Sequence, residues 1–170
     1  TQGWGIIAET MLGNGDRAYE YCKAALPAAY NDKAEIRQME PYVQGQTTYS
    51  IFSPRAGNTR VAWLSGAATW AYYSLTQYIL GIRPQYEGLL IDPCVPQNWK
   101  KFTVVRRFRN KEITINIENP SGIQKGIVSV TLNGEKLGGS LLPAGKLKET
   151  NIVTAVMGKD PGAAGTQQRV

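Results

Sequence analysis

The chain has 170 residues, enough for one large domain or two small ones. Its 42% hydrophobic and 19% charged residues exclude a largely disordered chain, and no apolar run approaches the roughly 20 residues that cross a bilayer. The absence of histidine removes the usual general base and the commonest metal ligand, and two cysteines, Cys22 and Cys94, are too few for a disulfide scaffold or a structural zinc site. They read as reduced thiols of a cytoplasmic protein.

The net charge of +6 is unevenly placed. Residues 1–82 balance six cations against six carboxylates, so the whole excess lies in residues 83–170. It is densest at Lys100, Lys101, Arg106, Arg107, Arg109 and Lys111. A polyanion patch is one reading. A solvated strand face, or a contact with an acidic neighbour, is the other and is favoured, because no nucleic-acid-binding motif accompanies the run.

The opening, Thr1 to Glu9, has no initiator methionine, no basic n-region and no long apolar stretch. It reads as the interior of a longer chain. Trp4, Ile7, Ala8, Met11 and Leu12 recur at helical spacing and predict an amphipathic helix packed on that face. Gly13-Asn14-Gly15 ends it, and Asp16 is the expected N-cap of a second helix through Leu26, making an αα-hairpin. Residues 36–60 predict loop with a few extended residues.

Ser65 to Gly81 predicts a helix of about four turns, apolar nearly all round and therefore buried on most sides, with Ser65 as N-cap and Gly81 just past its end. Residues 84–99, with Pro84, Pro93 and Pro96, predict a connector. From Lys101 the hydrophobic period becomes two, in runs at 102–105, 113–117, 127–132 and 152–156. Asn133-Gly134 predicts a tight hairpin, and the whole an antiparallel β domain. The Gly/Ala/Gln-rich tail at 159–170 predicts disorder.

No residue set completes a catalytic machine, since serine or cysteine nucleophiles lack a histidine. Gly13-Asn14-Gly15 follows a helix and lacks the Lys-Ser/Thr ending of a phosphate loop. Ser65-Gly66 is sharper, because a helix N-terminus presents free N–H groups to an anion and Gly66 allows close approach. A plain N-cap beside a close helix contact is the alternative. Tyr42, Gln44, Gln46, Tyr49, Trp63 and Trp70 crowd one irregular stretch. Sugar sites use this mixture of aromatic faces and amides; core packing is the alternative.

An ordered series then carries a resemblance. Glu40-Pro41-Tyr42-Val43, Trp63 to Trp70, Ile79 to Pro84, Gly88-Leu89, Ile91 to Pro96 with Trp99, and Arg107-Phe108-Arg109 together resemble the C-terminal part of the inverting β-glycoside phosphorylases of glycoside hydrolase family 94, over roughly residues 1–158. The resemblance implies an α+β fold. Residues 1–95 would be the last helices of an (α/α)6 barrel, and 96–158 a small antiparallel two-layered β domain of jelly-roll type.

It implies phosphorolysis of a β-linked disaccharide such as cellobiose. One aspartic acid protonates the glycosidic oxygen while inorganic phosphate attacks the opposite face of the anomeric carbon, giving an inverted sugar 1-phosphate. Cellobionic acid, chitobiose, laminaribiose and longer β-glucans are alternative substrates. The family's phosphate-binding Thr-Gly pair matches Ser65-Gly66, and a glutamine at the transferred-sugar subsite matches Gln46. The general-acid Asp and a phosphate-binding His are expected upstream, so no catalytic residue is expected within this chain. The resemblance implies disaccharide and phosphate as partners, no metal or other cofactor, no nucleic acid, no membrane, and room for a homodimer of the full-length enzyme. A stand-alone carbohydrate-binding module is the competing reading.

Overall fold

The computed structural model describes residues 2–63 and 65–159. It is an α+β structure, with helices and one hairpin in the first half and two sheets in the second. Helices α1 (Gln2–Met11) and α2 (Gly15–Ala25) form the expected αα-hairpin around the Gly13–Gly15 turn. A 3₁₀ segment, Pro27–Lys33, and a short α3, Ala34–Arg37, lead into an antiparallel hairpin of β1 (Gly45–Thr48) and β2 (Thr59–Ala62). Helix α4 (Ala67–Ser74) runs into a π turn, Leu75–Ile79, where Leu80 N–H reaches back five residues to Leu75 O at 2.9 Å.

Eight strands follow: β3 (Ile82–Pro84), β4 (Gly88–Ile91), β5 (Lys101–Phe108), β6 (Lys111–Glu118), β7 (Ile127–Leu132), β8 (Glu135–Lys136), β9 (Leu141–Pro143) and β10 (Thr150–Met157). They form a five-stranded sheet, β5-β6-β10-β7-β8, and a three-stranded sheet, β3-β4-β9. Alternation explains the larger sheet: Ile113, Ile115 and Ile117 of β6 are buried, as are Val153, Ala155 and Met157 of β10, while the residues between them face outward. These inward residues join Leu89 and Ile91 of β4, Leu142 of β9, and Ile6, Ala18, Cys22 and Ile79 of the helical half in one buried cluster. Strand β4 pairs with β9, so residues on both sides of the expected 95/96 boundary share a sheet. Among the described residues no helix is long and apolar enough to cross a membrane.

Five expectations are corrected. Helix α1 buries Gly3, Ile6 and Thr10, whereas Trp4, Met11 and Leu12 of the expected face are exposed. The reason is a close crossing with α4: a Cβ on Gly3 would stand 2.9 Å from Trp70 Cβ, so the contact runs through a glycine that a hydrophobic pattern undervalues. Asp16 is not the N-cap; Asn14 holds that place. Asp16 instead ties the helix to the β half, its Oδ1 accepting from Gln97 N–H and its N–H donating to Gln124 Oε1.

Helix α4 is not buried on most sides; Ser74 alone in it is fully buried. The 84–99 connector contains strand β4 and the last residue of β3, and Pro84 is tolerated because β3 is an edge strand with no ladder partner on one side. The larger sheet is mixed rather than antiparallel, since β6 and β10 run parallel. The thirty-odd residues between them supply the long crossover that parallel pairing requires. The expected disordered tail lies, after Lys159, outside the described residues.

Candidate functional site

The candidate residues gather at the base of the β1–β2 hairpin and the start of α4. A turn closed by Val43 N–H to Glu40 O, 3.0 Å, delivers Tyr42, and Arg37 Nη2 donates to Val43 O at 2.9 Å to hold it. Val43 is buried beneath. Strand β1 then carries Gln46 outward, exposed to solvent. The register sets Gly45 opposite Ala62 and Thr47 opposite Arg60, so Gln46 lies beside the strand end from which Trp63 emerges, three residues before Gly66.

The second strand is bent where it delivers these groups. Val61 and Trp63 hold φ of 58° and 66°, the left-handed region that bulky and β-branched residues ordinarily avoid. The Trp63 ring meets the Tyr42 ring at 6.1 Å between centroids, with planes at 66°. Both rings are open to solvent, Tyr42 72% and Trp63 68% exposed, and Tyr49 and Trp70 are also exposed. Core packing is therefore not what these aromatics do among the described residues. Gln44 serves a structural contact, its Nε2 donating to Ala25 O.

Ser65 is half-buried and Gly66 exposed at the head of α4. Ser65 Oγ accepts Ala67 N–H at 3.0 Å, which is the local cap expected of it, displaced by one residue because Gly66 occupies the N-cap position. A hydroxyl has one donor and two acceptor sites, so this contact leaves the Ser65 O–H free to donate. Gly66, Ala68 and Thr69 N–H have no partner within the helix, as at any helix start. Trp70 flanks Gly66, its Cδ1 3.7 Å from where a Cβ would stand, and packs edge-on against Trp4 and Tyr73.

Arg37 went unremarked in the sequence beyond its charge, yet its Nη1 is buried without a hydrogen-bond partner among the described residues. The basic run is partly structural: Arg106 donates to Ile82 O, Arg109 to Gln85 and Tyr86 carbonyls, and Lys111 to Leu147 O. Two open clefts, of about 420 and 430 Å³, lie elsewhere and include none of Gln46, Ser65 and Gly66.

The profile of the Glycosyl hydrolase 94 superfamily, catalytic domain, matches residues 1–81. The chain is 37% identical over 153 residues to the N,N'-diacetylchitobiose phosphorylase of Vibrio proteolyticus, covering 90% of this chain and 19% of that protein. It is 38% identical over 156 residues to the same-named protein of Vibrio furnissii, covering 91% and 19%. It is 30% identical over 138 residues to the solabiose phosphorylase of Paenibacillus borealis, covering 81% and 18%. The chain thus spans about a fifth of the length of the curated relatives it matches. An ordered motif series, a matching profile and three similar phosphorylases agree: the chain belongs to the glycoside hydrolase 94 family.

Proposed function

We propose that this chain is the C-terminal part of a glycoside phosphorylase that cleaves a β-linked disaccharide with inorganic phosphate, inverting to an α-sugar 1-phosphate and releasing the second sugar. The observation that carries the reading is similarity to three phosphorylases along four-fifths or more of the chain. In this reading α1, α2 and α4 belong to the closing helices of an (α/α)6 barrel, and the two sheets form its appended jelly-roll-type layer pair. Cellobiose is the substrate the resemblance suggests, and the names of the two Vibrio relatives support N,N'-diacetylchitobiose as the other candidate to test. The buried free thiols Cys22 and Cys94 support a reducing, cytoplasmic setting.

The proposed chemistry assigns these residues roles that the family resemblance implies. Phosphate is bound at Ser65-Gly66, where the free Ser65 O–H and the N–H groups opening α4 offset its charge while it approaches the anomeric carbon. Because phosphate replaces the activated water of an inverting hydrolase, a second carboxylate is unnecessary. Gln46 orients hydroxyls of the transferred sugar. The general acid comes from sequence upstream, and inorganic phosphate is a substrate rather than a cofactor.

The test compares this chain with the longer protein of which it forms part, each given cellobiose or N,N'-diacetylchitobiose with and without phosphate. The longer protein should release sugar 1-phosphate only when phosphate is present, and the 170-residue chain should release none. Turnover by the chain alone, or sugar release by the longer protein that ignores phosphate, would contradict the reading. Disaccharide binding without turnover by the longer protein would favour a carbohydrate-binding module.

A further inference from the structure

We infer that Tyr42 and Trp63 form the apolar corner against which the pyranose ring of the transferred sugar rests, an inference that builds on the proposed phosphorolysis. Their rings stand at 66° to one another, each propping the other's edge, and both are largely open to solvent. Neither ring is among the buried cluster or the side chains packed against it. Exposed paired aromatics lose nothing by receiving a ligand, and the C–H face of a pyranose is the apolar surface such a corner accepts.

Two further observations place the corner. The backbone at Trp63 is held in the left-handed region, as is Val61 before it. Such strain persists where the surrounding structure over-determines it, most often at ligand clamps and active sites. Tyr42 is fixed from the other side by the turn that Arg37 braces.

Distance along the chain then selects which sugar. Ser65 follows Trp63 by two residues, at most about 7 Å of extended chain. An anion at Ser65-Gly66 attacks the anomeric carbon of the transferred sugar, so the ring within reach of both is that sugar. Gln46, emerging beside the same strand end, offers an amide donor and acceptor to the hydroxyls at the ring's edge. The corner favours a ring whose hydroxyls are equatorial, since an axial hydroxyl would be pressed against an aromatic face.

The experiment uses the longer protein in the synthesis direction, with sugar 1-phosphate and acceptor sugar varied separately. Trp63→Ala should raise KM for sugar 1-phosphate roughly tenfold, the loss expected for some tens of Å² of apolar contact, with KM for the acceptor within about twofold. Trp63→Phe should keep KM within about threefold, because a face remains. Tyr42→Ala should act in the same direction as Trp63→Ala. Calorimetric binding of sugar 1-phosphate should weaken in parallel.

If the wild type turns over but Trp63→Phe and Tyr42→Ala both leave the sugar 1-phosphate KM and binding at wild-type values while Trp63→Ala fails to fold, the pair is packing surface for another segment and the inference fails alone. It also fails if all three variants fold and that KM is unchanged. A wild type without phosphate-dependent turnover removes the proposed function, and this inference with it.

Discussion

Gly66 lies at φ −74° and ψ 3°, a conformation open to every L-residue, and a Cβ there would make only an ordinary 3.7 Å contact with Trp70. The fold therefore does not demand glycine at this position. The proposed phosphate role would, because a side chain there would stand where the anion approaches. Gly66→Ala should change the unfolding free energy by no more than about 1 kcal/mol, the spread among N-cap residues, yet raise KM for phosphate in the longer protein. Gly66→Val should raise it further. Ser65→Ala removes one donor to a charged oxygen, about 1.5–3 kcal/mol or roughly 10–150-fold in efficiency toward phosphate. Disaccharide affinity should hardly move in these variants. Separate variation of the two substrates checks this, and an unchanged phosphate dependence in Ser65→Ala would reduce Ser65 to a helix cap. The thiols make a second prediction at this scale. Burial pushes Cys22 upward and Cys94 up to about 11, so the folded chain keeps its thiol protons to higher pH than the unfolded chain does. The contribution of Cys94 to stability is complete below the unfolded value and is lost as pH rises toward about 11, and that of Cys22 is lost in the same direction. At pH 8 a thiol-specific disulfide reagent should label neither cysteine in the folded chain and both in urea.

Among the elements, the joint between α4 and the sheets carries the heaviest constraint. Two residues past the π turn lies Gly81, whose φ is 70° and whose Cβ, if present, would overlap the Asp92 carbonyl and the Pro93 nitrogen. Asp92 N–H donates to Gly81 O at 2.8 Å, locking the same approach. Gly81→Ala should therefore destabilise the chain by about 2–4 kcal/mol, strain and overlap together, measured by urea unfolding. This glycine was legible in the sequence as the residue past a helix end. So were the αα-hairpin and the β runs, because local periodicity encodes them. The Asn133-Gly134 turn was too: both residues have positive φ, 52° and 87°, as a type I′ hairpin requires. The Arg109-Asn110 hairpin, with φ of 50° and 62°, went unread because arginine is not a usual residue for that geometry. The packed face of α1 was misread because its contact with α4 runs through Gly3. The parallel pairing of β6 and β10 was invisible because register between distant strands leaves no local pattern. Within the candidate site, Ser65 and Gly66 were legible as a helix start open to an anion and Gln46 as one of a cluster of aromatics and amides, while the resemblance to a family supplied their specific roles. The Tyr42–Trp63 corner needed coordinates, since a sequence cannot tell an exposed aromatic pair from a buried one.

At the scale of the molecule, strand pairing crosses residue 96. Strand β4, Gly88–Ile91, pairs with β9 at Leu89 and Leu142, and both residues are fully buried. Strand β3 adds to the same sheet, with Ile82 buried against the common cluster. A cation cluster fastens this region further: Arg83 and Lys125 both pair with Asp92, and Lys125 Nζ also donates to Thr10 O at the end of α1. Cutting before 96 would strip β4 from β9 and open the buried Leu142 to water, a loss of about 1.5–3 kcal/mol for that side chain alone. By contrast, residues 27–62 contribute only Val43 and Pro27 as buried apolar side chains, and the loop between β1 and β2 exposes Ile51 and Phe52 almost completely. Local opening is easiest where few apolar contacts are made. Limited digestion with a nonspecific protease should therefore cut first within 49–58. The smallest persistent fragment should begin between Leu75 and Ile82 and end near Met157. Mass spectrometry of the digest reads both ends. A persistent fragment beginning near 96 would mean that β3 and β4 contribute little to the sheet, and that residues 96–158 fold by themselves.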